Sequence, residues 1–300
     1  MAVPQVILPI FLLIILGYFL ARRGPLTPEI NKGLSSITFS LFMPMVLFTG
    51  MASAPLHNGL NLTLLAAYFV PALLIFALVN GITHYFVGHP TPYGITAAFG
   101  NNALIGIPLV AGLFGADGLL ILFTVLAVHS LLLFSFQSLY NSLAGNEPFR
   151  VGTLVASLAN PMIIGLLAGV ALNLSNLHLY APLMQLAQWL AQAALPCALI
   201  VLGANLAGFR LKPSVEALGI TLAKLVVMPV LVLLGCRLLG IDGVPRGVLV
   251  LMAANPCGVN TLGFSRTLED SHKASSAICL TTVLSALTLP VWMWVNGAVG

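Results

Sequence analysis

Apolar runs long enough to cross a bilayer as helices recur along the whole chain, separated by short polar joints. Their limits predict ten spans, at about 3–21, 34–54, 62–84, 92–114, 117–140, 151–174, 186–207, 214–239, 245–266 and 274–296. The joints leave no room for a soluble domain, and the longest polar one, Asn141–Arg150, falls at the halfway point. The first run ends at Arg22-Arg23, with no basic segment before it and no small-residue cleavage site. It is therefore expected to be a retained span and not a leader peptide.

Two spans are interrupted by residues that do not suit a dry helix. Span 4 contains Gly100-Asn101-Asn102-Ala103-Leu104-Ile105-Gly106-Ile107-Pro108, and span 9 contains Asn255-Pro256-Cys257-Gly258-Val259-Asn260-Thr261. Proline lacks an N–H and biases the residue before it away from α geometry. Unwound backbone at membrane depth is tolerated only where protein buries it or a watery cavity receives it. The breaks are thus expected at Pro108 and Pro256, with half-helices starting near 106–108 and near 258–261.

The two interruptions are related by an internal repeat. Pro9, Gly17 and Pro44 match Pro161, Gly169 and Pro196 at a shift of 152 residues. Pro92, Gly94, Asn102 and Asp117 match Pro245, Gly247, Asn255 and Asp270 at a shift of 153. Pro71 and Pro229 need 158, which implies a local insertion. Five spans per repeat, residues 1–140 and 151–300, is an odd number, so the copies must insert with opposite topology. Inverted repeats whose discontinuous helices meet at the midplane are a hallmark of secondary transporters.

Composition agrees with a membrane protein: 59% of residues are hydrophobic, 6% are charged and the mean hydropathy is +1.07. The joints after spans 1, 3, 5, 7 and 9 carry eight lysines and arginines against two on the other side. Both termini are therefore expected outside the cytoplasm. A net charge of +4, scattered singly and in pairs, does not suit nucleic acid. Cys197, Cys236, Cys257 and Cys279 lie in apolar runs without metal-ligand spacing, so packing is their expected role, and neither metal nor cofactor is implied.

The candidate site follows from the breaks. Two half-helix N-termini would offer open N–H groups and positive dipole ends. Asn101, Asn102, Asn255 and Asn260 would add neutral donors and acceptors, with Gly106 and Gly258 beside them. This set suits a carboxylate, with no fixed positive charge to hold it too tightly; capping of backbone freed by the prolines is the alternative role of the asparagines. His129, midway along span 5, is a candidate for proton coupling, or a neutral imidazole bonded between helices. Lys224, within span 8, either snorkels or attracts the anion or takes part in proton coupling. Asp117 and Asp270 are expected to stabilise helix N-termini. Gln185, Gln188, Gln192 and Trp189 read as an amphipathic lead-in to span 7, and Trp292 and Trp294 as an interfacial belt.

Asn102-Ala-Leu-Ile-Gly-Ile-Pro108-Leu109, Asn255-Pro-x-x-Val-Asn260 and Leu284-Ser-Ala-Leu-Thr-Leu-Pro290 resemble signatures of the auxin efflux carrier family. That family includes plant auxin carriers and bacterial malate and malonate carriers. The resemblance implies ten helices in inverted five-helix repeats, with crossed broken helices 4 and 9. It further implies a scaffold of spans 1, 2, 6 and 7, a moving unit of spans 3–5 and 8–10, and asparagines that hold a substrate carboxylate. The plant carriers' long central loop is absent, so neither its regulation nor auxin as substrate carries over. The expected protein is an all-α polytopic carrier of a small organic anion such as malonate or malate, in the bacterial inner membrane. It would work as a uniporter or with protons. A sodium-coupled symporter of the bile-acid type, or a channel, is the alternative. An enzyme is not expected, and the oligomeric state, a homodimer included, is left open.

Overall fold

The computed structural model describes residues 3–53, 62–145, 161–175, 177, 179–209 and 214–297. Residues 151–160 of the sixth expected span, and Arg150, Arg210 and Lys212 of the charge count, lie outside these. The described residues are helical, without a strand. In chain order the helices are α1 (Val3–Arg23), α2 (Pro28–Ala52), α3 (Leu62–Val87), α4 (Tyr93–Ala98), α5 (Asn102–Gly145), α6 (Pro161–Leu174), α7 (Ala181–Gly208), α8 (Val215–Leu238), α9 (Gly243–Ala254) and α10 (Leu268–Val295). Seven of them are long and apolar enough to cross a membrane, while α6 and α9 are shorter apolar helices.

Apolar residues face outward as well as inward, as a lipid solvent allows. On α3 an exposed stripe of Val70, Leu74, Leu78 and Ile82 repeats every four residues, opposite the buried Phe69, Ala72 and Phe76. Water would penalise that stripe; hydrocarbon does not, so close van der Waals fit and hydrogen bonds hold such helices together.

The contacts divide the chain into two compact units. The first comprises Met1–Leu60, Ile107–Ala127 and Leu158–Gly208. Its close packing depends on glycines that let backbones touch. A Cβ on Gly17 would strike the carbonyl of Ile200, and one on Gly203 would strike that of Ile14, so α1 and α7 pack without intervening side chains. Gly165 and Gly169 of α6 meet the carbonyls of Pro44 and Phe48 of α2 in the same way. Asn173 donates to the carbonyls of Met51 and Ala52 at the end of α2 (2.9 and 3.1 Å). Asn31 and Asn205 join α2 to α7 at 2.8 Å. The glutamines before span 7 are part of α7 itself, which already starts at Ala181.

The second unit comprises Asn61–Gly106, Val128–Ser157 and Phe209–Gly300. Here polar contacts fasten helix starts. Thr267 caps α10, accepting from the Asp270 N–H (3.0 Å) and donating to its carboxylate (2.8 Å). The same buried carboxylate accepts from the Tyr93 hydroxyl at the start of α4 (3.0 Å). Lys273 bridges Glu216 at the start of α8 and Glu269 of α10 (2.7 and 2.8 Å). Asp117, in the stretch of α5 that groups with the first unit, is exposed, two residues beyond the kink at Gly115, where φ is 60° and ψ −148°.

Gly203→Val is expected to cost about 1–3 kcal/mol by overpacking, read as a lower melting temperature of the detergent-solubilised protein. Gly219→Ala, with nothing within 4 Å of the added Cβ, is expected to leave the temperature unchanged or raise it.

Candidate functional site

Both interrupted helices stop in the second unit, and their loose ends pair. Helix α4 ends at Ala98, and Phe99 is extended (φ −85°, ψ 111°). Helix α9 ends at Ala254, and Asn255 is extended (φ −61°, ψ 148°), as a residue before proline prefers. The two extended segments run antiparallel. The Asn101 N–H donates to the Pro256 carbonyl (2.8 Å), and the Gly258 N–H donates to the Phe99 carbonyl (2.9 Å). The Cys257 N–H donates to the Thr281 hydroxyl (3.2 Å), which in turn donates to the Ile278 carbonyl. Buried backbone that has left a helix is thus satisfied by its counterpart and one threonine.

The first break is not at Pro108. Helix α5 restarts at Asn102 with a π-helical turn, Asn102–Gly106, and Pro108 lies within the helix that follows. A wide turn absorbs the amide that proline lacks, so the chain leaves helical form earlier, at Phe99–Asn101. Pro256 lies in the extended segment itself. Beyond it there is no second α half-helix, only a 3-10 turn, Val259–Phe264. Gly263 and Asn260 are weak helix formers, and Thr261 spends its hydroxyl on the Gly258 carbonyl (2.9 Å), an alternative to helical bonding.

The crossing brings together Asn102 and Asn255. Asn255 Nδ2 donates to Asn102 Oδ1 (2.8 Å), and Asn102 Nδ2 donates to the Tyr68 hydroxyl (3.0 Å). Tyr68 Oη, accepting there, is also hydrogen-bonded to His129 Nε2 (3.3 Å), and it donates to that nitrogen when the ring proton is on Nδ1. The Phe99 ring lies over His129, with centroids 4.3 Å apart. A hydrogen-bonded chain therefore runs from Asn255 through Asn102 and Tyr68 to His129. All four residues are buried.

Several polar atoms at the crossing have no hydrogen-bond partner among the described residues. They are Asn101 Nδ2, Asn255 Oδ1, His129 Nδ1 and Lys224 Nζ. Gly100 makes room for Lys224 and for the Asn102 amide, since a Cβ there would sit 3.1 Å from the Asn102 amide and 3.2 Å from Lys224 Nζ. Gly106 does the same for Asn255 Nδ2, at 2.8 Å, and Gly258 lets Phe99 approach to 2.5 Å of its Cβ position. The expectation of a site without fixed positive charge is thereby corrected: Lys224 reaches the crossing and does not snorkel. Asn260, by contrast, is exposed on the 3-10 turn, away from the Asn102–Asn255 bond.

Donors outnumber acceptors. The first intrahelical bond of α5 runs from the Ile105 N–H to the Asn101 carbonyl (3.1 Å), so the amides of Asn102, Ala103 and Leu104 are open first-turn donors. Asn101 Nδ2 and Lys224 Nζ are further donors without a partner, against one orphan amide oxygen, Asn255 Oδ1. Such a set suits an anion.

The chain matches the membrane transport protein family over residues 2–147 and 150–293. It belongs to the auxin efflux carrier family. It is a multi-pass membrane transport protein. A relative from Rhizobium meliloti (strain 1021), named "Putative malonate transporter", is 29% identical over 295 residues, covering 94% of this chain and 92% of the relative. An "Uncharacterized transporter" of Methanothermobacter thermautotrophicus is 27% identical over 300 residues, covering 96% of each. The residues that sequence reasoning missed are Tyr68, Thr281 and Trp292. A tyrosine hydroxyl in the middle of an apolar span finds no water and needs a protein partner, which was the readable signal for Tyr68. The Trp292 indole donates to the Leu225 carbonyl (2.8 Å), whereas Trp294 is exposed.

Tyr68→Phe is expected to strand Asn102 Nδ2 and His129 Nε2. The cost is about 1–3 kcal/mol for each buried group left unpaired, measured as a fall in thermal stability that Tyr85→Phe, at an exposed position, does not share.

Proposed function

We propose that the protein is a secondary transporter of small organic anions, dicarboxylates such as malonate or malate, and that the Asn102–Asn255 crossing is its substrate site. The observation that carries this reading is the pairing of two interrupted helices around a buried, donor-rich cluster with unsatisfied polar atoms. The Rhizobium relative's printed name points to the same substrate class.

The reading includes ten spans as two inverted five-helix repeats. Two pairs of tight contacts support it: Gly17 against Ile200 and Gly169 against Phe48 exchange places under a single shift of 152 residues. In the second unit, Asn102 and Asn255 are themselves related by 153 residues and bond to each other. Under alternating access the second unit carries the site and the first is the scaffold. The contact grouping supports spans 1, 2, 6 and 7 as scaffold and spans 3 and 8–10 as carrier, while residues 107–127 group with the scaffold. The Tyr68-linked His129 is the group on which proton coupling would act. The inner membrane with both termini outside the cytoplasm completes the proposal.

Purified protein in liposomes is expected to take up labelled malonate or malate, with a rate that responds to an imposed pH gradient if a proton is coupled. Asn102→Ala with Asn255→Ala is expected to abolish uptake, with correct folding checked by monodisperse elution. Wild-type flux in that double variant would remove the crossing as the site.

A further inference from the structure

Lys224 is fully buried in the second unit, and its ammonium has no hydrogen-bond partner among the described residues. The carboxylates whose pairings the structure resolves are committed elsewhere: Asp242 to Arg246, Glu216 and Glu269 to Lys273, and Asp270 to Tyr93 and Thr267. An isolated buried ammonium is costly unless an opposite charge joins it. The chain nevertheless holds it there with a specific device.

Lys224 stands in a π-helical turn, Ala223–Val227, inside α8. Pro229, two residues beyond the turn, has no N–H for the carbonyl four residues earlier, that of Leu225. The Trp292 indole of α10 supplies that missing donor at 2.8 Å. The turn is therefore stabilised in its wide form, and π turns of this kind re-aim side chains at functional sites. Leu218, Leu222, Val226, Val230 and Leu234 of the same helix are exposed, so the turn keeps Lys224 on the inward side of α8. Its Nζ arrives beside the Gly100 backbone and the Asn102 amide, in the gap that the glycine leaves.

We propose that Lys224 is the resident counter-charge of the substrate site: its ammonium pairs with a carboxylate of the carried anion, in a position where a co-transported cation would otherwise be needed. The proposal rests on the anion-carrier reading above and adds the residue that selects for negative charge. A fixed ammonium at the crossing repels sodium from that place, so carboxylate binding there is independent of sodium. The orphan Asn101 Nδ2 and the first-turn amides of α5 complete the carboxylate's hydrogen bonds, and Trp292 acts as a positioning residue through the π turn.

The test is thermal stabilisation and equilibrium binding of malonate, in potassium and in sodium buffers, on the full-length detergent-solubilised protein. The variants are Lys224→Met, which keeps length and apolar bulk, and Lys224→Arg, which keeps charge. Wild type is expected to bind malonate equally in both buffers. Lys224→Met is expected to fold with at least wild-type stability, because a buried unpaired charge is gone, yet to lose malonate affinity by roughly 30-fold or more. Lys224→Arg is expected to retain more of that affinity than Lys224→Met. Neutral malonamide, as the control probe, is expected to discriminate little between wild type and Lys224→Met. Malonate binding unchanged in Lys224→Met, or a sodium requirement in wild type, overturns this proposal alone. Absence of any effect of malonate, malate or acetate on wild type overturns the anion-carrier reading and this proposal with it.

Discussion

Two helices that stop inside a membrane protein leave peptide groups that water cannot reach, and the second unit is arranged around satisfying them. Phe99–Asn101 and Pro256–Gly258 do so by pairing antiparallel, each segment serving as the other's hydrogen-bond partner. That solution requires the segments to approach backbone to backbone, and so requires Gly100 and Gly258 where a Cβ would meet Lys224, Asn102 or Phe99. It also sets Asn102 and Asn255 side by side, because each follows or precedes its paired segment by one residue. The candidate site is in this sense a by-product of backbone bookkeeping that the asparagines then exploit.

Prolines inside the spans create a second, milder version of the same problem. Each removes one amide, and the chain answers in different ways. At Pro108 and Pro229 a π-helical turn precedes the proline, and for Pro229 a tryptophan from another helix replaces the missing donor. A further π turn, Thr38–Phe42, precedes Pro44 in the first unit, where the carbonyl of that proline lies against Gly165. Widened turns rotate the residues within them relative to the rest of the helix. In the second unit the residues so rotated include Asn102 and Lys224, the two whose polar ends flank Gly100. The first unit has less polar business to settle, and its glycines serve packing: α1 against α7 and α2 against α6 approach until backbone meets backbone.

Hydropathy and the Pro/Gly/Asn pattern alone determined that the chain is an all-helical, multi-pass membrane protein and which two stretches are interrupted. Those properties are local: an apolar run of given length has one stable form in lipid, and a proline acts on its own neighbours. Asn102 and Asn255 were readable as a pair because both lie at the same distance from repeated prolines and glycines. What only the tertiary structure decided is which atoms meet. Nothing in the chain order says that Tyr68 would link Asn102 to His129, that the Trp292 indole would find the Leu225 carbonyl, or that Asn260 would stay exposed. The exact break before α5 was hidden for a similar reason, since the energetic choice between a kink at Pro108 and a π turn ahead of it depends on a partner segment more than a hundred and fifty residues away. Lys224 is the clearest case: burial in a span was legible, but its direction came from a turn, a proline and an indole that converge only when the helices pack.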